Sequence, residues 1–168
     1  MRTSAILYAT AVWSIAAFLG ACQVTHTGRT WAEAPLQEAL RAFREDAYEN
    51  GLVEAMLSPT SFHMAADSAF KERAVGLCVQ SGRSRVVYIK RSYWEGLGEG
   101  QDADVMRLAL FYHEAGHCML NRGHVEQKER LSSLMEPIMH TADEYNEDEW
   151  PRLVKELFNP DPSLREIP

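Results

Sequence analysis

The chain is poor in cysteine: three in 168 residues, with no CxxC spacing among them. That excludes a small disulfide-stapled scaffold and a thiolate zinc site. Basic residues do not dominate either. Lys and Arg total 17 against 24 Asp and Glu, a formal charge of −7 and a pI of about 5.4. No Lys/Arg cluster offers a phosphate-binding face, so a nucleic-acid partner is excluded. No internal repeat is present, and no apolar run reaches the ~20 residues of a spanning helix. What remains is an ordinary globular composition, 46% hydrophobic and 24% charged, enough for one domain with its own core.

The longest uncharged run, Ser4 to Leu19, follows Arg2 and ends in Leu19-Gly20-Ala21-Cys22. A basic start, a short apolar stretch and small residues form a secretory leader. Small residues before a cysteine resemble the lipobox of bacterial lipoproteins. The resemblance implies cleavage after residue 21, acylation of Cys22 and anchoring in the bacterial cell envelope. In such lipoproteins an acidic residue after the cysteine marks inner-membrane retention, so by the same resemblance Gln23 implies the outer membrane. Residues 22–30 then read as a tether and 31–168 as the folded domain.

Within that domain, Trp31 to Asn50 has helical spacing of Leu36, Leu40, Phe43 and Ala47, stopped by Asn50-Gly51. Val75–Gln80 and Arg85–Lys90 read as strands around a Ser81-Gly82-Arg83-Ser84 turn, and Ser61–Ala66 as a weaker strand. Asp102 reads as the N-cap of a long helix running to about Asn121. A last helix spans roughly Glu147 to Phe158. Helix, strands, then helices predicts an α+β fold with a small mixed sheet, two long helices and a short C-terminal subdomain after His124.

The long helix carries His113-Glu114-Ala115-Gly116-His117. Histidines at i and i+4 share one helix face and can bind one metal ion, with Glu114 placed to move a proton as a general base. A chance HExxH is expected in roughly one such sequence in 50, so the pair alone is only suggestive. His124, seven residues on, supplies a third imidazole if Gly123 turns the chain back through a positive φ. Three imidazoles suit Zn²⁺ and leave a position open for chemistry.

His113-Glu114-Ala115-Gly116-His117-Cys118-Met119-Leu120-Asn121-Arg122-Gly123-His124, followed by Ser133-Leu134-Met135-Glu136-Pro137, resembles the metzincin zinc endopeptidases and their Met-turn. It resembles small bacterial envelope proteins with HExGHCxxxRxH more than matrixins or astacins. The third histidine arrives one residue later than in the HExxHxxGxxH form. The resemblance implies a zincin fold, Zn²⁺ held by His113, His117 and His124, Glu114 as the catalytic base, and Met135 packed beneath the histidines. It also implies hydrolysis of a peptide or protein substrate lying extended along the sheet edge. A non-catalytic, zinc- or partner-binding envelope lipoprotein is the alternative, and Glu114 argues against it.

Other readings stay open at this level. Glu136 is the runner-up third ligand, and Met139-His140 an alternative Met-turn. Tyr145 is a candidate oxyanion donor. Cys78 and Cys118 form either a disulfide or two buried thiols. His26 and His63 read as structural or exposed, and Tyr93-Trp94 as core. The lipobox is directly testable: mass spectrometry of the envelope-bound protein should find Cys22 as an acylated N-terminal residue. Cys22→Ser should leave the chain uncleaved or soluble, and an unmodified Cys22 in the wild type would refute the anchor.

Overall fold

A computed structural model describes residues 29–71, 73–126, 131–160 and 162, and the backbone of 166–167. The leader, Cys22 and His26 lie outside the described residues. The order is β1 (Trp31–Ala32), α1 (Gln37–Glu49), β2 (Ser61–Ala65), β3 (Gly76–Ser81), β4 (Ser84–Lys90), α2 (Arg91–Gly96), α3 (Gln101–Met119), β5 (His124–Val125), α4 (Trp150–Phe158) and β6 (Glu166–Ile167). The fold is mixed α+β. Among the described residues no helix is long and apolar enough to cross a membrane.

Four strands form one mixed sheet in the order β1-β2-β4-β3. The pairs β1–β2 and β2–β4 are parallel, and β3 returns antiparallel along β4 as an edge strand. The hairpin between β3 and β4 turns at Gly82-Arg83, with Gly82 at φ 58°. A left-handed first turn residue suits the tight two-residue loop. Alternation then sorts the side chains. Phe62, Met64, Val87 and Ile89 are buried beneath the helices, while Ser61, His63, Val86 and Tyr88 stay half-exposed on the other face.

On that inner face α1 and α3 supply the core. Leu40, Phe43 and Ala47 of α1 are buried, and the Phe43 ring lies 5.1 Å from Tyr112 and 5.1 Å from Phe158. Phe62 stacks on Phe111 at 4.5 Å, joining the sheet to α3. The Tyr112 hydroxyl donates to Asp46 across 2.5 Å, closing the contact between α1 and α3.

Three helix starts differ from the sequence expectation. Trp31 and Ala32 are not helical: they pair with Ser61 and Phe62 as β1, and Glu33 N–H donates to the Phe62 carbonyl. Pro35 follows and fits a helical first turn, where its missing N–H costs nothing. Helix α3 begins at Gln101 behind Gly100 (φ 109°), so Asp102 sits inside the first turn with Asp104. There both carboxylates favour the helix dipole without capping it. Helix α4 also starts later, at Trp150, because the Asn146 side chain accepts the Asp148 and Glu149 amides and ends a separate turn.

Phe43 is fully buried at the junction of α1, α3 and α4. Phe43→Ala should cost about 3–5 kcal/mol, read as a lower denaturation midpoint in urea. A change below 1 kcal/mol, on the order of a surface substitution, would contradict this packing.

Candidate metal centre

The C-terminal half of α3 is buried along His113-Glu114-Ala115-Gly116, which is unusual for a segment with two ionisable residues. The sheet lies on one side and the Leu131–Pro137 segment on the other. Helix α3 then ends with every exposed carbonyl of its last turn satisfied. Gly116 O accepts the Arg122 amide, His117 O the Gln80 side chain, Cys118 O the Arg85 guanidinium, and Met119 O the Ser58 amide. The chain reverses at Asn121, φ 57°, and not at Gly123 as its sequence suggests. Asn tolerates the left-handed region well, so the turn comes two residues earlier and β5 carries His124 back.

This reversal brings three imidazoles together. His117 Nε2 lies 3.1 Å from His113 Nε2 and 3.1 Å from His124 Nε2, and the remaining pair is 3.3 Å apart. The other nitrogens of two of these rings are committed. His113 Nδ1–H donates to Leu134 O, and His117 Nδ1–H donates to Arg122 O, each across 2.7 Å. A neutral imidazole that donates from Nδ1 presents a lone pair at Nε2. Converging lone pairs repel unless a cation stands between them. Donors about 2.0–2.1 Å from a tetrahedral ion sit roughly 3.3–3.4 Å from one another, close to the spacing found. The three nitrogens therefore fit a single divalent ion.

Burial sets the electrostatics. It pushes His113 down to about 3, with His117 and His124 adding like-charge repulsion, and it also holds His117 and His124 below the usual histidine value. The same burial raises Glu114 to about 8. Glu114 is 5% exposed, and its carboxylate lies directly over Gly76 at the start of β3. A cavity of about 890 Å³ opens over His113, Glu114, His117 and His124, with β3 along one side and Pro137, Ile138 and Met139 along another.

Met135 is fully buried, with its sulfur against Gly116: a Cβ on Gly116 would stand 2.5 Å from Sδ. The turn around it is tied down. Val125 N–H donates to Met135 O, Met135 N–H donates to Ser133 Oγ, and Ser133 donates to Glu156. Glu156 in turn pairs with Arg122 at 2.9 Å, both side chains 7% exposed.

The alternatives left open by the sequence resolve differently. Glu136 is not grouped with the histidines. Its Oε1 accepts the Ser132 amide and hydroxyl at 2.7 Å, and its Oε2 pairs with His140 at 2.9 Å. His140 also pairs with Glu144, which leaves Met139 in the cavity wall. Tyr145 is buried with its hydroxyl accepting the His140 amide, and it is not among the residues lining the cavity. His63 packs between Trp31 and Tyr88 and contacts Glu33. Trp94 is core, and Tyr93 packs against the core while also lining the cavity. Cys78 and Cys118 form a disulfide with Cα atoms 5.6 Å apart.

Sequence reasoning passed over Gly76 and Glu156, and gave Arg122, the fixed arginine of the HExGHCxxxRxH pattern, no role. Gly76 carried a signal, since a glycine inside a strand often marks a close approach. Arg122 and Glu156 are 34 residues apart, and no local signal pairs them. In comparison with known proteins, no family model matches this chain, no curated protein matches it, and no solved structure does.

A stability test follows from Glu114. A carboxyl raised from 4.5 to about 8 by burial contributes its full stability below pH 4.5 and loses it as pH rises toward 8. In the metal-free protein, Glu114→Gln should therefore melt higher than wild type at pH 8, with the gap narrowing toward pH 5. A gap independent of pH would show that Glu114 is not held neutral.

Proposed function

We propose that this chain is a zinc-dependent endopeptidase of the metzincin type, with a zincin-like fold, anchored by Cys22 in the bacterial cell envelope. The observation that carries this reading is the convergence of His113, His117 and His124 Nε2 beside a buried, unligated Glu114 at the floor of an open cavity. A pure metal-binding site has no use for that carboxylate. The Met135 turn beneath Gly116 and the edge strand β3 beside the cavity support the same reading.

His113, His117 and His124 would hold the ion, and the carbonyls of Leu134 and Arg122 fix two of those rings in orientation and tautomer. Bound there, Zn²⁺ supplies Lewis acidity toward a carbonyl oxygen and lowers the pKa of water. Glu114 takes the proton of the attacking water and returns it to the leaving amine. Its buried position keeps bulk water away from that exchange. The peptide lies extended along β3, whose free edge offers backbone hydrogen bonds with little demand on side-chain identity.

The test is metal analysis combined with hydrolysis of an unfolded protein or a mixed peptide library. Wild type should hold one zinc per chain and cleave. Glu114→Gln should keep zinc and fold and lose about 10²–10⁴ in rate. His113→Ala should lose both metal and activity. A zinc-loaded wild type, and a form starting at Trp31, that both cleave nothing would sink the endopeptidase reading.

A further inference from the structure

Strand β3 meets α3 through a repeated contact. Gly76, Cys78 and Gln80 alternate onto the face of β3 that looks at α3. Cys78 is bonded to Cys118, and Gln80 Nε2 donates to His117 O at 3.2 Å. Gly76 stands against Glu114. Two residues of strand advance about 6.6–6.8 Å, and four residues of helix advance about 6 Å. The two repeats are nearly equal, so fixing Cys78 on Cys118 fixes Gly76 on Glu114, one step back along both elements.

The approach at Gly76 is closer than any side chain permits. A Cβ there would lie 2.2 Å from Glu114 Oε1 and 2.6 Å from both Cδ and Cγ. Gly76 is not among the left-handed glycines, so its backbone would accept any residue. What the position requires is the absence of a side chain. The atoms a methyl would meet belong to the end of the Glu114 side chain, which moves more cheaply than backbone.

From these contacts we propose that Gly76, kept in register by the Cys78–Cys118 disulfide, is the positioning residue for the Glu114 carboxylate. The inference rests on the endopeptidase reading of the same site. Among the described residues Glu114 has no charged partner to aim it, so the bare backbone of β3 serves as its seat. The disulfide holds an edge strand that is otherwise paired on one side only.

The experiment uses the zinc-loaded mature chain and a mixed peptide library. Gly76→Ala should keep one zinc per chain and a near-wild-type melting temperature. Its kcat should fall about 100-fold, the scale of a 1 Å misplacement of a reacting group, with KM little changed. Cys78→Ser/Cys118→Ser should also lower kcat with zinc retained, and it carries the test if Gly76→Ala is insoluble. Wild-type kcat in Gly76→Ala, or a loss of activity that tracks loss of zinc, overturns the proposal. If wild type itself cleaves nothing, the endopeptidase reading fails separately. Crystal structures of zinc-loaded wild type and Gly76→Ala then decide the seat: a displaced Glu114 carboxylate supports it, and an unmoved one overturns it.

Discussion

The buried pair of Arg122 and Glu156 is the interaction on which the site depends. Two charges at 7% exposure are costly to desolvate, and a lone pair of them would be a poor source of stability. Here nearly every polar atom is answered. Arg122 donates to Glu156 Oε1 and to the carbonyls of Glu156 and Leu157, and Glu156 Oε2 accepts from Ser133. The network therefore joins α4, the chain leaving α3 and the turn before Met135. Two imidazoles are aimed by carbonyls in or beside it: Arg122 O holds His117, and Leu134 O, one residue from Ser133, holds His113. The gain lies in geometry, since a satisfied buried network allows few other arrangements.

Burial acts on the chemistry as well as on the frame. It lowers the three histidines and raises Glu114, so the same physical cause moves acid and base in opposite directions. The site is driven toward neutrality, with the Nε2 lone pairs of His113 and His117 directed at the point where the three rings converge. A divalent cation relieves that arrangement, and it also favours the charged form of the neighbouring carboxylate. The low-dielectric surroundings that make Glu114 costly to ionise alone make it responsive to charge nearby.

The two walls of the cavity are fixed in different ways. The wall at β3 is covalent, through Cys78–Cys118, and is reinforced where side chains of β3 and β4 occupy the last carbonyls of α3. The opposite wall, Pro137 to Met139, is a loop closed at its base by Glu136 and His140, four residues apart and in contact. His140 sits between Glu136 and Glu144, whose hydrogen bonds raise its pKa against the desolvation that lowers it. Removing a proton from His140 would break one of its two hydrogen bonds to these carboxylates, so this wall is the more dependent on conditions.

Local pattern was enough for much of this protein. Helical spacing placed His113 and His117 on one face, and alternation and a Gly82 turn drew the β3–β4 hairpin. Those features depend on neighbours within a few residues, where propensity and period act directly. The helix starts failed for the same reason in reverse. Trp31 and Ala32 have helical neighbours in sequence, but β2 claims their hydrogen bonds, and no local signal reports a partner thirty residues away. The point of reversal before His124 depended on how the end of α3 was capped by Gln80, Arg85 and Ser58, all remote in sequence. Gly76 beneath Glu114, Met135 beneath Gly116 and the Arg122–Glu156 pair exist only once the sheet, α3 and α4 are packed. Sequence thus determined which groups could do chemistry. The tertiary structure decided how closely they meet, because contact distance and burial belong to packing and not to spacing along the chain.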